Sequence, residues 1–121
     1  MAEYVEWRDE AGISSLLVGR RVVEVDVDEG TLSLDNGIKV RVEGISACCA
    51  YYDVTSLNTV NNIITAAWVE VDPHPEAEEK TFRIFVFADN EKINLATLDG
   101  SDGTGYYGTG FSLVVDRIWE V

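Results

Sequence analysis

The chain of 121 residues is 46% hydrophobic, and its 22 acidic and 9 basic residues give a formal net charge of −13 at pH 7. This length predicts one domain, residues 1–121, whose core needs no metal or disulfide. The acidity disfavours direct binding to nucleic acid or to anionic membranes, and no apolar run approaches the roughly eighteen residues that a membrane-spanning helix needs.

The first part of the chain predicts a short helix and then a three-stranded meander. Residues 6–17 carry apolar side chains at helical spacing, with Gly19 just beyond them. Residues 22–28 alternate valine with acidic residues, which is typical of a half-buried strand. In this strand the core is expected to receive Val23, Val25 and Val27, and the outer face is expected to carry Glu24, Asp26 and Asp28.

Asn36-Gly37 marks the turn of a hairpin between residues 31–35 and 38–43. This dipeptide is typical of a two-residue type I′ turn, in which both central residues need a positive φ. Lys39 and Arg41 are then expected on the outer face, opposite the acidic row of the preceding strand.

Cys48 and Cys49 are adjacent, which is too close for an ordinary disulfide and for the usual ligand spacing of a metal site. The single histidine, His74, lies between two prolines in a polar connection and is expected to be solvated. We therefore expect two reduced thiols, no metal site and no cofactor.

The rest of the chain predicts a second group of strands. Residues 46–53 are expected to be irregular, with Asp53 or Thr55 capping a short helical turn. Strands are expected over residues 63–72, 81–88, 92–98 and 111–119, the last three forming a second meander. The run at 81–88 is apolar on both faces, which predicts a central strand covered on two sides.

These elements predict a mainly β fold, or a β-rich α+β fold, with six or seven antiparallel strands. Two antiparallel meanders would form a small sandwich or a partly closed barrel, accompanied by one or two short helices.

Residues 99–111 carry five of the ten glycines and are expected to form a loop. Exposed aromatic side chains are favoured anchors at protein interfaces. We therefore expect this loop and residues 48–52 to lie together and form one interaction face. Its candidate binding residues are Tyr51, Tyr52, Tyr106, Tyr107 and Phe111.

The motifs do not specify a catalytic reaction. The glycine-rich stretch lacks the Gly-Lys-Ser or Gly-Lys-Thr ending of a phosphate loop, and Asp99 and Asp102 miss the spacing of a calcium loop. The sequence favours a non-catalytic module that binds a protein partner, and it is compatible with a homo-oligomer.

Two alternatives to this module remain open. One is an acidic decoy that mimics nucleic acid and inhibits a basic nucleic-acid-binding protein through Glu24, Asp26 and Asp28. The other is an enzyme whose chemistry these motifs do not reveal.

The chain contains three short motifs, which are Cys-Cys-Ala-Tyr at 48–51, Asn-Ile-Ile-Thr at 62–65 and Tyr-Tyr-Gly-Thr-Gly-Phe at 106–111. Together they resemble a small uncharacterised domain family of actinobacteria and their bacteriophages. The resemblance covers residues 17–115. It implies an actinobacterial or phage origin and no activity, because the family has no assigned function. Residues 1–10 lack a secretion signal, so we expect a cytoplasmic protein, in the host cytoplasm if a phage encodes it.

Overall fold

The computed structural model describes residues 2–46, 50–73, 79–101 and 110–116. Within these ranges the chain forms nine strands and one short helix. In chain order they are β1 (Ala2–Glu6), α1 (Glu10–Leu17), β2 (Val22–Asp26), β3 (Thr31–Leu34), β4 (Lys39–Gly44), β5 (Tyr51–Leu57), β6 (Ile64–Pro73), β7 (Glu79–Ala88), β8 (Glu91–Ser101) and β9 (Phe111–Asp116).

The strands form two antiparallel sheets, which confirms the mainly β fold class. One sheet has five strands in the order β1-β9-β4-β3-β2, and the other has four in the order β5-β8-β7-β6. Both sheets contribute to one apolar core, in which the ring centroids of Phe82 on β7 and Phe111 on β9 lie 5.9 Å apart. Over the described strands the sheets stay open, so the architecture is a sandwich and not a barrel.

The predicted second meander is wrong at its last strand. β6, β7 and β8 are joined by consecutive hairpins, as expected. β9, however, pairs with β1 and β4 in the five-stranded sheet. β8 already has β5 and β7 as neighbours, so β9 has no free edge beside β8.

The N-terminal segment is a strand followed by a helix, whereas the sequence pattern predicted a helix from residue 6. β1 pairs with β9 and buries Val5. The helix begins after Asp9, whose carboxylate accepts a hydrogen bond from the backbone N–H of Gly12 at 2.9 Å. This cap satisfies a free N–H group of the first turn and sets the start of the helix. α1 then packs on β6 and buries Ile13 and Leu17.

β2 departs from the predicted valine alternation. The register shifts between Val22 and Glu24, so Val22 is buried while Val23 is 56% exposed. Val25 packs partly against the core, and Val27 is exposed beyond the end of the strand. The expectation that Val23 and Val27 face the core is therefore wrong, because Val23 lies at the bulge and Val27 lies in the turn that follows the strand, whereas Glu24, Val25 and Asp26 keep their expected faces.

The β3–β4 hairpin is confirmed, but its turn is not the expected type I′. Residues 35–37 form a three-residue loop, closed by hydrogen bonds from the Leu34 N–H to the Ile38 carbonyl at 2.9 Å and from the Gly37 N–H to the Leu34 carbonyl at 3.1 Å. Only Gly37 in this loop has a positive φ, at 87°. Such loops place one left-handed residue at the end of the turn, a position that suits glycine.

A two-residue turn with two positive φ angles occurs instead between β7 and β8. Ala88 pairs with Glu91, and the intervening Asp89 and Asn90 have φ values of 52° and 62°. Asp and Asn tolerate this left-handed conformation better than other residues with side chains.

β5 is a strand where an irregular segment and a helical turn near Asp53 were expected. It pairs with β8 over its length, so strand pairing overrides the local capping signal.

Two glycines allow the backbone of β5 to approach neighbouring strands closely. A Cβ atom on Gly44 would lie 1.9 Å from the Tyr52 carbonyl oxygen, and one on Gly100 would lie 1.9 Å from the Tyr51 carbonyl oxygen.

Candidate functional site

The predicted binding residues separate into three groups in the structure. Tyr51 is 53% exposed, whereas Tyr52 and Phe111 are buried, with exposed fractions of 4% and 1%. Tyr106 and Tyr107 lie outside the described residues. The two thiols at positions 48 and 49 and the histidine at 74 also lie outside them.

The described ends of the two predicted site segments are neighbours. Tyr51 pairs with Ser101 and Tyr52 pairs with Gly100 across the β5–β8 ladder. Residues 99–101 are thus the end of strand β8 and not the beginning of a loop. The two segments meet at one edge of the four-stranded sheet.

Tyr52 and Phe111 belong to a core aromatic cluster, which consists of Trp7, Tyr52, Phe82 and Phe111. Phe82 is the centre of the cluster. The three other rings contact it edge to face, at centroid distances of 4.9 Å for Trp7, 5.1 Å for Tyr52 and 5.9 Å for Phe111. These geometries are the favoured ones for aromatic pairs, and they account for Tyr52 and Phe111 by packing.

A second group of rings lies on the opposite, outer side of the four-stranded sheet. We call Trp68, Phe85 and Phe87 the aromatic face. Trp68 and Phe85 are cross-strand partners on β6 and β7, and their stacked rings have centroids 6.1 Å apart. Phe87 lies 5.9 Å from Trp68 and is 41% exposed. The expectation that β7 is covered on both sides is wrong, because its outer side is only partly buried.

Two charged side chains hold the aromatic face in one arrangement. The indole N–H of Trp68 donates a hydrogen bond to Glu70 Oε2 at 2.8 Å, and Lys92 Nζ lies 3.0 Å from the same oxygen. Lys92 Nζ also lies 4.2 Å from the ring centroid of Phe85, within cation–π range. These contacts tie the rings of Trp68 and Phe85 to Glu70 and Lys92 in one arrangement.

This arrangement changes the titration of Glu70. The hydrogen bond from Trp68 and the interaction with Lys92 hold the pKa of the Glu70 carboxyl below its ordinary value of 4.5. Glu70 is fully ionised at neutral pH, so both of its contacts are present there.

The far end of the same outer side is acidic. A cleft of about 500 Å³, here called the acidic cleft, is lined by Tyr51, Asp53, Thr55, Glu79, Lys80, Asp99 and Gly100. Asp99 accepts hydrogen bonds from the hydroxyl of Thr81 and from that of Thr55, the latter at 3.2 Å. Three carboxylates and one ammonium group therefore share this cleft.

The alternative acidic row lies on the edge strand β2 and in the turn that follows. Glu24, Asp26 and Asp28 are all exposed, and Asp26 accepts a hydrogen bond from the backbone N–H of Glu29 at 3.1 Å. β3 separates this row from β4. Arg41 on β4 pairs with Glu43 of its own strand at 2.7 Å, so the expected pairing of Arg41 with the acidic row is wrong.

The described residues contain no group of three or more histidine, cysteine or acidic residues arranged to hold a metal ion. No helix in the same part of the chain is long and apolar enough to cross a membrane.

Residues 15–113 match the family described as "Domain of unknown function (DUF7448)", and the chain belongs to that family. No curated protein and no solved structure gives a match. The family contains uncharacterised domains, as the sequence resemblance implied, and carries no activity over to this chain.

Proposed function

We propose that this protein is a non-catalytic protein-interaction module whose binding surface is the outer side of the four-stranded sheet. The observation that carries the proposal is the aromatic face, in which three rings from adjacent strands form a continuous and partly exposed group. Trp68 within this group is also held in place by Glu70, which in turn pairs with Lys92.

The energetic reason is pre-organisation. Trp, Tyr and Arg dominate the energetics of protein interfaces, and each flexible side chain that must be ordered on binding costs about 0.5–1.5 kcal/mol. Trp68 is already fixed by its hydrogen bond to Glu70 and by the ammonium group of Lys92. A partner that covers this surface therefore gains apolar contact without first ordering the rings.

One described residue of the sequence-predicted site remains part of this proposal. Tyr51 is its exposed member and lies on the same outer side, in the acidic cleft. Tyr106 and Tyr107 stay predictions. We place the module in the cytoplasm of an actinobacterium or of a cell infected by an actinobacterial phage, following the sequence resemblance.

The proposal is tested by affinity capture from an actinobacterial lysate. Wild-type protein and the Phe87→Ser variant serve as baits, and captured proteins are quantified by mass spectrometry. Phe87 is partly exposed, so its replacement is expected to leave the fold intact. The amount of captured protein is expected to fall about tenfold.

The matched control is Tyr4→Ser, because Tyr4 is an exposed aromatic residue on the other sheet. This variant is expected to capture the same proteins as wild type. Capture that survives Phe87→Ser, or that disappears only in Tyr4→Ser, would contradict the assignment of the binding surface.

The decoy function is the second candidate, and its support is the exposed acidic row at the β2 edge together with the net charge of −13. It predicts that captured proteins are basic nucleic-acid-binding proteins. It also predicts that the Glu24→Gln/Asp28→Asn variant loses them while Phe87→Ser keeps them.

A further inference from the structure

We infer that the partner of the outer sheet surface is a cationic polypeptide segment, with an apolar residue seated on the aromatic face and basic residues in the acidic cleft. This inference rests on the proposed function and adds the chemical class of the partner. It follows from how the charges on the surface are paired and where the unpaired charges lie.

Charges near the aromatic face are neutralised within the chain. Glu70 pairs with Lys92 at 3.0 Å, and Asp72 pairs with Arg83. This end of the surface is therefore locally balanced, and its contact with a partner is mainly apolar.

The acidic cleft at the other end carries an excess of negative charge. Asp53, Glu79 and Asp99 line it together with Lys80, and none of the three carboxylates forms an ion pair with a basic residue in the described ranges. Within the described ranges, the side chain of Asp99 accepts hydrogen bonds only from hydroxyl groups. The exposed ring of Tyr51 at the same place suits the stacking of a guanidinium group.

The distance between the aromatic face and the acidic cleft fits a short peptide segment. Phe85 and Thr81 are four positions apart on β7, and Thr81 pairs with Asp99 of the cleft. Four residues of strand span about 13 Å, and the six residues to Glu79 span about 20 Å. An extended partner would therefore place its basic residues about four to six positions from its apolar anchor.

A second copy of the chain is a poor occupant by the same reasoning. Each copy carries a net charge of −13, so a face-to-face dimer would bring two strongly acidic chains together. A cationic segment removes this repulsion, and long-range attraction speeds its association.

The test uses a fluorescein-labelled peptide of about twelve residues with one phenylalanine and three arginines at the inferred spacing, and fluorescence anisotropy as the readout. Two variants of the full chain carry the same change in net charge. Asp53→Asn/Glu79→Gln alters the cleft, and Glu24→Gln/Asp28→Asn alters the row at the other sheet. All four residues are exposed, and thermal unfolding verifies that both variants fold.

We expect the peptide to bind wild type at low ionic strength and to bind the cleft variant about tenfold more weakly. The β2 variant is expected to stay within about twofold of wild type, because Glu24 and Asp28 do not line the acidic cleft and their charges are screened by water and salt. Added salt should weaken binding to wild type more than binding to the cleft variant.

Three results would overturn the inference. They are an absence of peptide binding by wild type, equal weakening in both charge variants, and concentration-dependent dimerisation that Phe87→Ser abolishes. Failure of this inference is separable from failure of the proposed function. If lysate proteins are lost with Phe87→Ser but retained by the cleft variant, the interaction module stands and the cationic class is wrong.

Discussion

The two aromatic groups of this protein occupy opposite sides of the same strand. Phe82 on β7 points into the core aromatic cluster, and Phe85 and Phe87 on β7 belong to the aromatic face. The rings are of one chemical type, but their surroundings differ. Phe82 is surrounded by other rings and the aliphatic core, whereas Trp68 donates a hydrogen bond to Glu70 and Phe85 lies beside the Lys92 ammonium group at the surface. Removing an inner ring should therefore lower stability much more than removing an outer ring.

The largest effect is expected from removing the centre of the core cluster. Phe82→Ala leaves a cavity that three edge-to-face rings and the aliphatic core line, so the free energy of unfolding should fall by about 3–5 kcal/mol. Urea denaturation measures this change. An effect no larger than that of Phe87→Ala would contradict the division of β7 into an inner and an outer side.

Gly100→Ala tests the close approach of β8 to β5, which carries Tyr52 of the core aromatic cluster and Tyr51 of the acidic cleft. The new methyl group would lie 1.9 Å from the Tyr51 carbonyl oxygen, so β5 must move and carry Tyr52 of the core and Tyr51 of the surface with it. We expect a loss of about 1–3 kcal/mol in unfolding free energy.

Gly37→Ala is the control for this substitution. The new methyl group would meet no atom within 4 Å, so the substitution is strained only by the φ of +87° at this position. This strain should cost about 1 kcal/mol of unfolding free energy. A smaller loss for Gly100→Ala than for this control would argue against the close β5–β8 approach.

Truncation of the outer rings should change stability little and binding much. We expect Phe85→Ala to lower the unfolding free energy by about 1 kcal/mol, because it loses the contacts with Trp68 and Lys92. Phe87→Ala should stay within about 0.5 kcal/mol. Denaturation curves measure stability and peptide anisotropy measures binding, and both are recorded on the same preparations. If the variants lose stability and binding in parallel, the role of the aromatic face is packing and not binding.

The smallest effect concerns the carboxylate of the aromatic face. Because the folded-state pKa of Glu70 is lowered, its contribution to stability is present above pH 4.5 and is lost as the pH falls through the folded-state pKa. The stability difference between wild type and Glu70→Gln should therefore shrink on acidification from neutral pH. Denaturation of both proteins over this range measures it, and a difference independent of pH would contradict the Trp68–Glu70–Lys92 arrangement.

Much of the fold follows from the sequence because alternation and turn signals act locally. The β2–β3–β4 meander and the β6–β7–β8 hairpins were predictable in this way. β1 and β5 were missed, because each is stabilised by a partner distant in the chain. The bulge after Val22 was missed for a related reason, since register is a property of a pair of strands and not of one strand.

The aromatic face shows why the site was harder to predict than the fold. A strand that is apolar on both sides is typical of a sheet covered by two layers, and the sequence of β7 does not say whether the second layer exists. A signal was present in the neighbouring strands. Glu70 and Lys92 flank the rings in the sheet. A second apolar layer would bury these two charged side chains, which costs free energy.

The turn at Asp89 and Asn90 has a consequence for folding. Because β7 carries apolar side chains on both sides, a slip of one residue against β8 would turn Phe82 outward and Phe85 inward, but it would also carry Arg83 to the core side, where its charge is costly. The two left-handed residues that join Ala88 to Glu91 set the alignment of the hairpin. This turn therefore helps to decide which side of β7 carries the aromatic face.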